Sequence, residues 1–273
     1  MLAFRAGTAA ARQGGRTRKD LPKAMDNSLL VSLSQQLAAS RAMDVIANNL
    51  ANASTPGYKR EDARFEQYLE RVAPSSLERG PQTLSFVEDA GIARDTAQGA
   101  VTHTGATYDF AINGNGYFAL QTPQGVRYTR DGHFSLNADG QIVNSSGYAL
   151  LGQNGPVTIT PDDLDVQVGP DGSISSTVNG IGTQVDQLRL VDFADDHALM
   201  KEGSNLYSTT QAENAATGAT IQQGALEASN VQPVVEISNM IQVMRAYQAT
   251  TALSQSQQQL AGQAIQRLGT MPN

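Results

Sequence analysis

The longest regular pattern in this chain lies near its end. Ile237, Met240, Met244, Tyr247, Thr251, Ser254, Gln258, Ala261, Ile265 and Leu268 recur at alternating spacings of three and four, the seam of a coiled coil. Asn230 and Pro233 mark a helix start, Glu236 suits its positive first turn, and Gly269 marks its end. At roughly 1.5 Å per residue this predicts a rod about 50 Å long. The middle of the seam, Thr251, Ser254 and Gln258, is polar. Such a seam does better among several neighbours that satisfy those groups than in a lone pair of helices. Periodicity alone leaves an ordinary amphipathic core helix equally open.

A second helical pattern stands at the other end. Leu30, Leu33, Leu37, Met43, Ile46 and Leu50 fall mostly at helical spacing, with alanines between them. It is expected to stop near Asn52, because Thr55 precedes Pro56 and Gly57 permits a turn. Residues 59–108 are first charged and then loop-like, with Pro74, Ser75, Ser76, Gly80 and Pro81. They read as an extended linker.

From Asp109 the period changes to that of strands. Ala111, Tyr117, Phe118 and Leu120 occur among Gly114, Gly116 and a turn at Pro123–Gly125. Tyr128 to Gly152 reads as strand, turn, strand, joined at Asn137-Ala138-Asp139-Gly140. Val157–Ile159, Val166–Val168 and Ser173–Ile174 alternate, and Gln187–Phe193 is a further strand. The predicted class is α+β: N- and C-terminal helices packing as a coiled-coil-like pair, with a β-rich central domain. The expected boundaries are 25–58 for the first helix, 59–108 for the linker, 109–225 for the β-rich domain and 226–273 for the last helix.

Composition narrows the function. The chain has no cysteine, which excludes disulfides and cysteine-ligated metals. Its net charge of −7 argues against a nucleic-acid partner, and no apolar run is long enough for membrane insertion. Residues 1–24 differ from the rest, with six basic residues against one acid, Asp20, which leaves −12 on the remainder. They read as an extension foreign to the native protein, which would start at Met25. A transit-like peptide or nucleic-acid arm is the alternative.

Little invites catalysis. His103, His133 and His197 are far apart in sequence and form no zinc-binding pattern. Arg130-Asp131-Gly132-His133 reads as a β-turn with one solvated ion pair. Asp162, Asp163 and Asp165 lack calcium-loop spacing. Asn113-Gly114-Asn115-Gly116 precedes no helix, so it is no phosphate cradle. No catalytic residue, cofactor or metal site is expected.

Two segments carry a resemblance. Asn48-Asn49-Leu50-Ala51-Asn52, followed by Thr55-Pro56-Gly57-Tyr58-Lys59, resembles the N-terminal signature of bacterial flagellar rod and hook proteins. Gly224-Ala225-Leu226-Glu227-Ala228-Ser229-Asn230-Val231, with Asn239-Met240-Ile241 and Arg245-Ala246-Tyr247, resembles the C-terminal one. Thr96–Ala100 with Thr104-Gly105, Gly114–Phe118 and Tyr128–Val143 also fit the family pattern. The likeness covers nearly everything from Met25 onward. Met25-Asp26 and Asn52–Gly57 resemble the proximal-rod type, and there is little room for the larger insertion usual in hook proteins.

The resemblance implies a structural subunit that transmits torque from motor to hook. Its terminal helices would build the inner tube of an axial filament. The implied assembly interface comprises Leu30, Leu33, Leu37, Met43, Ile46, Asn49, Leu50, Asn52, Ile237, Met240, Ile241, Met244, Tyr247, Ile265 and Leu268. Asn48, Asn49 and Asn52 are either helix-end polar groups or hydrogen-bonding groups between packed helices. The implied partners are other proximal and distal rod proteins, further copies of the chain and the flagellar type III export apparatus. Export would leave no cleaved signal peptide and place the subunit in the periplasmic rod of the basal body. A distal-rod or hook-type subunit is the nearest alternative. A secreted β-domain adhesin or glycan-binding protein, or an enzyme on a β scaffold, is more remote.

Overall fold

A computed structural model describes residues 22–72, 82–160, 164–178 and 181–269. The expectations for residues 1–21, for Pro74 to Pro81 and for Asp162 and Asp163 fall outside these, as do the side chains of Met25, Asp26, Ile265 and Leu268. The protein is α+β, with one long helix near each end and strands between. Helix α1 spans Pro22–Ala51, so it begins three residues ahead of Met25. It stops where Asn52 to Gly57 turn the chain, and Gly57 adopts φ +66°.

Strands β1 (Glu61–Val72) and β2 (Gln82–Arg94) pair as a separate two-stranded sheet where an extended linker was expected. The alternation is present, with Ala63 and Phe65 set between Asp62, Arg64 and Glu66. The side chains from Arg64 to Gln67 are exposed. A ribbon this solvated needs the charge density that made it read as loop.

The central strands are short: β3 (Val101–His103), β4 (Phe110–Asn113), β5 (Tyr117–Thr122), β6 (Gly125–Thr129), β7 (Phe134–Leu136), β8 (Ile142–Asn144) and β9 (Ala149–Leu150). After them come β10 (Leu164–Val168), β11 (Ser173–Val178), β12 (Ile181–Gln187), β13 (Leu190–Asp192), β14 (Met200–Lys201), β15 (Tyr207–Ser208) and β16 (Asn214–Ala215). Last are β17 (Thr220–Gln223), β18 (Ala225–Glu227) and helix α2 (Pro233–Gly269). The largest sheet runs β14-β15-β6-β5-β9-β8-β7, with β13 bridging β5 and β16, while β10-β11-β12 form their own antiparallel sheet.

Strand β5 lies between two cores. Phe118 and Leu120 join Phe110, Phe134, Ile142 and Leu150 on one side. Tyr117 and Ala119 join Tyr128, Val191, Phe193 and Tyr207 on the other. Both faces of the strand are covered, so it reads as a nearly unbroken apolar run. Full burial of a side chain such as Phe118 stabilises the fold by roughly 1.5–3 kcal/mol. The Phe118 and Phe134 rings meet edge-on at 5.5 Å.

Between Tyr128 and Gly152 the expected hairpin at Asn137–Gly140 is present. Asn137 Oδ1 accepts from the amides of Asp139 (2.9 Å) and Gln141 (2.8 Å), and Gly140 takes φ +79°. Two further turns divide the region, because Asp131 and Asn144 each accept a backbone N–H two residues ahead. Gln187–Phe193 is likewise broken, since Leu188 turns its amide to Gly172 O at 2.8 Å.

Two late pairings bring the C-terminal approach back along the middle of the chain. Strand β17 pairs with β4, Thr220 facing Asn113, and β18 pairs with β3, Glu227 facing Val101. Strand β18 crosses the expected boundary at 225/226. Helix α2 then starts at Pro233 and ends at Gly269, the residues that mark it in the sequence.

The chain forms two compact units. Of the described residues, one holds 22–38, 65–72, 82–88 and 247–269. Within it, Gln36 Nε2 donates to Thr251 Oγ1 at 3.5 Å, and Leu30, Leu33, Leu37, Leu253 and Leu260 are exposed. The other holds 39–64, 89–160, 164–178 and 181–246, including both cores and the joint described below.

Candidate functional site, a buried joint between the two signature segments

The last turns of α1 are fixed by amide side chains. Asn49 is fully buried. Its Nδ2 donates to Glu61 O at 2.7 Å, and its Oδ1 accepts from Glu61 N–H at 3.0 Å. The Tyr58 hydroxyl donates to Asn48 Oδ1 (3.0 Å) and Asn49 Oδ1 (3.2 Å). Asn52 Nδ2 donates back to Asn48 O at 2.8 Å. These asparagines therefore tie the helix end to its own following strand.

Gly57 comes next, and its position is backbone-limited. A Cβ there would lie 2.4 Å from the carbonyl carbon and oxygen of Arg130. Its N–H donates to Glu227 O at 2.7 Å. One turn of the N-terminal signature is thus pressed between β18 and the loop after β6.

At the centre is Glu227, which is buried. Oε1 accepts from Lys59 Nζ at 2.7 Å and from Gly99 N–H at 2.9 Å, and Oε2 accepts from Arg130 Nε at 2.9 Å. Lys59 also donates to Ala97 O at 2.8 Å. Arg130 donates to the carbonyls of Gly114, at 2.9 Å, and of Gly116. Gly114 and Gly116 take φ +99° and +147°, a conformation that favours glycine, and their carbonyls meet the guanidinium. The glycine-rich stretch that holds no phosphate holds an arginine instead. Burial is the largest influence on Lys59 and pulls its pKa below the usual lysine value, against the opposing pull of Glu227.

The sequence reading of Arg130 and Asp131 as a solvated pair is corrected here. Arg130 is 5% exposed and pairs with Glu227, 97 positions away. His133 Nδ1 lies 2.8 Å from Asp109 Oδ1, and the Thr104 hydroxyl donates to Asp109 Oδ2 at 2.7 Å.

A second ion pair anchors α2. Glu236, in its first turn, is fully buried and accepts from Arg60 Nε at 2.6 Å. Asn230 Oδ1 accepts from Arg60 N–H at 2.7 Å, and its Nδ2 donates to Asp95 O and Ala97 O. The two signature segments, far apart in sequence, meet at one joint.

Of the residues expected to form an assembly interface, Ile46 and Asn49 are buried inside the chain. Met43, Leu50, Asn52, Met240 and Tyr247 are half-buried. Leu30, Leu33, Leu37, Ile237, Ile241 and Met244 are exposed, Leu37 by 64% and Met244 by 43%. Lys59, Arg130, Glu227 and Glu236 were missed as site residues. Glu227 and Glu236 carried a signal, a lone charge between apolar neighbours (Leu226 and Ala228, Val235 and Ile237), whereas Lys59 and Arg130 stand beside other charges and carried none.

The joint fixes the roots of two helices whose apolar side chains stand partly uncovered, an arrangement that suits a structural subunit. Comparison with known proteins makes the class specific. Residues 29–59 match the model "Flagella basal body rod protein". Residues 111–176 match "Flagellar hook protein FlgE/F/G D1 domain", and 222–267 match "Flagellar basal body rod FlgEFG protein C-terminal". The chain is 42% identical to the flagellar basal-body rod protein FlgF of Caulobacter vibrioides, over 90% of this chain and 99% of that protein. It is 32% identical to FlgF of Mesorhizobium japonicum over the same shares. Against FlgG of Caulobacter vibrioides it is 34% identical over 85% of this chain and 96% of the relative. The chain belongs to the flagellar basal-body rod protein family. It is a structural subunit of the basal-body rod, not an enzyme, and its family ties it to other rod components.

Proposed function

We propose that the chain is a proximal-rod subunit of the FlgF type, and that it passes torque from motor to hook through helical contacts with further copies and with neighbouring rod proteins. Two long helices with uncovered apolar side chains are the observation that carries this reading. Leu30, Leu33 and Leu37 on α1 and Ile237, Ile241 and Met244 on α2 are exposed in the single chain. Such faces are covered when subunits assemble. In the rod the two helices pair in coiled-coil fashion, and the Gln36–Thr251 bond is compatible with that. The higher identity to FlgF than to FlgG of one organism favours the proximal over the distal position. The flagellar type III apparatus exports the chain without signal cleavage, and it works in the periplasmic stretch of the rod. No described helix is long and apolar enough to cross a membrane.

The test is Met244→Asp. A carboxylate in a seam that becomes buried on assembly is costly, so cells should make and export the variant yet lack rods and hooks by electron microscopy, and fail to swim. A charge swap at exposed Asp139, in the β7–β8 turn, is the control and should leave swimming nearly intact. Normal swimming with Met244→Asp would remove α2 as the assembly joint.

A further inference from the structure

Beside the joint lies a polar cleft of about 370 Å³. Four separate segments form it: the end of α1 with Asn52 and Thr55, the β6–β7 turn with Asp131, the β8–β9 turn with Ser146, and the turn at Gly203–Asn205. That last turn holds three successive residues at positive φ (57°, 45° and 57°), two of them not glycine.

The charged side chains in the wall are Asp131 and Lys201. Lys201 is already satisfied: its Nζ donates to Glu61 Oε1 at 3.1 Å and lies 4.3 Å from the centre of the Tyr58 ring. Asp131 is half-buried, and its Oδ1 accepts one bond, from His133 N–H at 3.0 Å. The neighbouring Arg130 is committed to Glu227, and the His133 ring is committed to Asp109. Among the described residues, no lysine or arginine pairs with Asp131. Burial pushes its carboxyl above the usual range and Asp109 adds to this, while the His133 amide and ring only partly oppose it. A half-buried carboxylate is stable as an ion when a cation completes it.

We propose that this cleft receives an arginine or lysine side chain of an adjoining rod subunit, with Asp131 as its counter-charge. The proposal rests on the reading of the chain as a rod subunit. The cleft holds one extended cationic side chain, and the hydroxyls of Thr55, Ser146 and Ser204 around it can accept its remaining N–H groups. Among the described residues no group of three His, Cys, Asp or Glu side chains is placed to hold a metal ion, so a side-chain cation fits the wall better than a bare one. The same residues also carry the end of α1, so an occupied cleft fixes a neighbour directly against the joint.

Asp131→Asn separates charge from structure, because the amide oxygen still accepts the His133 N–H. A carboxyl whose folded pKa lies above its unfolded value opposes folding once ionised. The free Asn variant should therefore melt at or above the wild-type temperature at neutral pH. Its association with neighbouring subunits should weaken by about tenfold or more, as for a desolvated interfacial pair. Hook-bearing basal bodies should become correspondingly rare on electron micrographs, and Asp131→Lys should abolish them. A photo-crosslinker at Ser146 in assembled rods should capture a neighbour's peptide carrying an exposed basic residue, and replacing that residue by Glu should restore assembly to Asp131→Lys. Wild-type assembly by both Asp131 variants, or a crosslink confined to the same chain, would overturn the proposal. So would a clear fall in the melting temperature of Asp131→Asn, which would make the residue structural. Assembly by Met244→Asp alongside failure by Asp131→Lys would sink the helix-face reading and leave the cleft standing, and the converse pattern would do the reverse.

Discussion

The joint and the helix faces distribute polarity in opposite ways. At the joint Lys59, Arg130, Glu227 and Glu236 are buried, and each finds a partner of opposite charge. Along α1 and α2, Leu33, Leu37, Ile237 and Met244 are exposed. A buried, directional charge cluster tolerates few alternative geometries, whereas an apolar stripe accepts any neighbour of matching shape. The chain thus closes the joint between its signature segments with ionic contacts and leaves apolar side chains of both helices uncovered. That division fits the proposed role, in which the helices pack against neighbouring subunits while their roots stay fixed.

The largest effect should come from breaking the joint. Glu227→Ala leaves Lys59 and Arg130 buried without their carboxylate, and removal of one partner from such a cluster costs about 3–5 kcal/mol. Urea denaturation of the purified subunit measures this, and a loss below about 1 kcal/mol would mean that the backbone pairings alone hold the joint. Gly57→Ala should come next. The residue sits at φ +66° with the Arg130 carbonyl 2.4 Å from the added Cβ, so a loss of about 2 kcal/mol or more is expected by the same assay. The smallest effects belong to the helix faces. Leu37→Gln and Met244→Asp, at side chains already exposed, should shift the stability of the free subunit by no more than about 0.5 kcal/mol. A loss comparable with that of Gly57→Ala would show that these faces are internal core and would erase the contrast.

Much of this was legible because local chemistry marks it. Pro233 and Gly269 delimit α2, Asn137–Gly140 sets a hairpin, and the apolar residues Tyr117, Phe118 and Leu120 mark a strand. The ribbon β1–β2 was hidden by its charges, since a solvated strand and a loop share a composition. Arg130 was misread because Asp131 is adjacent and Glu227 is not. Nothing local states that a guanidinium will turn from its neighbour to a carboxylate 97 positions on. The spacing of Leu37 and Met244 did not itself indicate their exposure, because a helical stripe has the same spacing whether its own chain or another covers it; only the resemblance placed them at an interface.

The sequence separation of Lys59 and Glu227, 168 positions, bears on the order in which the molecule can take shape. A polypeptide that emerges N-terminus first presents Lys59 early, Arg130 midway and Glu227 only near the finish. Until then two cations lack the carboxylate that makes their burial tolerable, and the closing loop is among the longest the chain can form. The central strands can collapse beforehand, but the roots of the two helices cannot be locked. Maturation is thereby tied to arrival of the final stretch, and a chain still in transit stays pliable where it will later be most rigid.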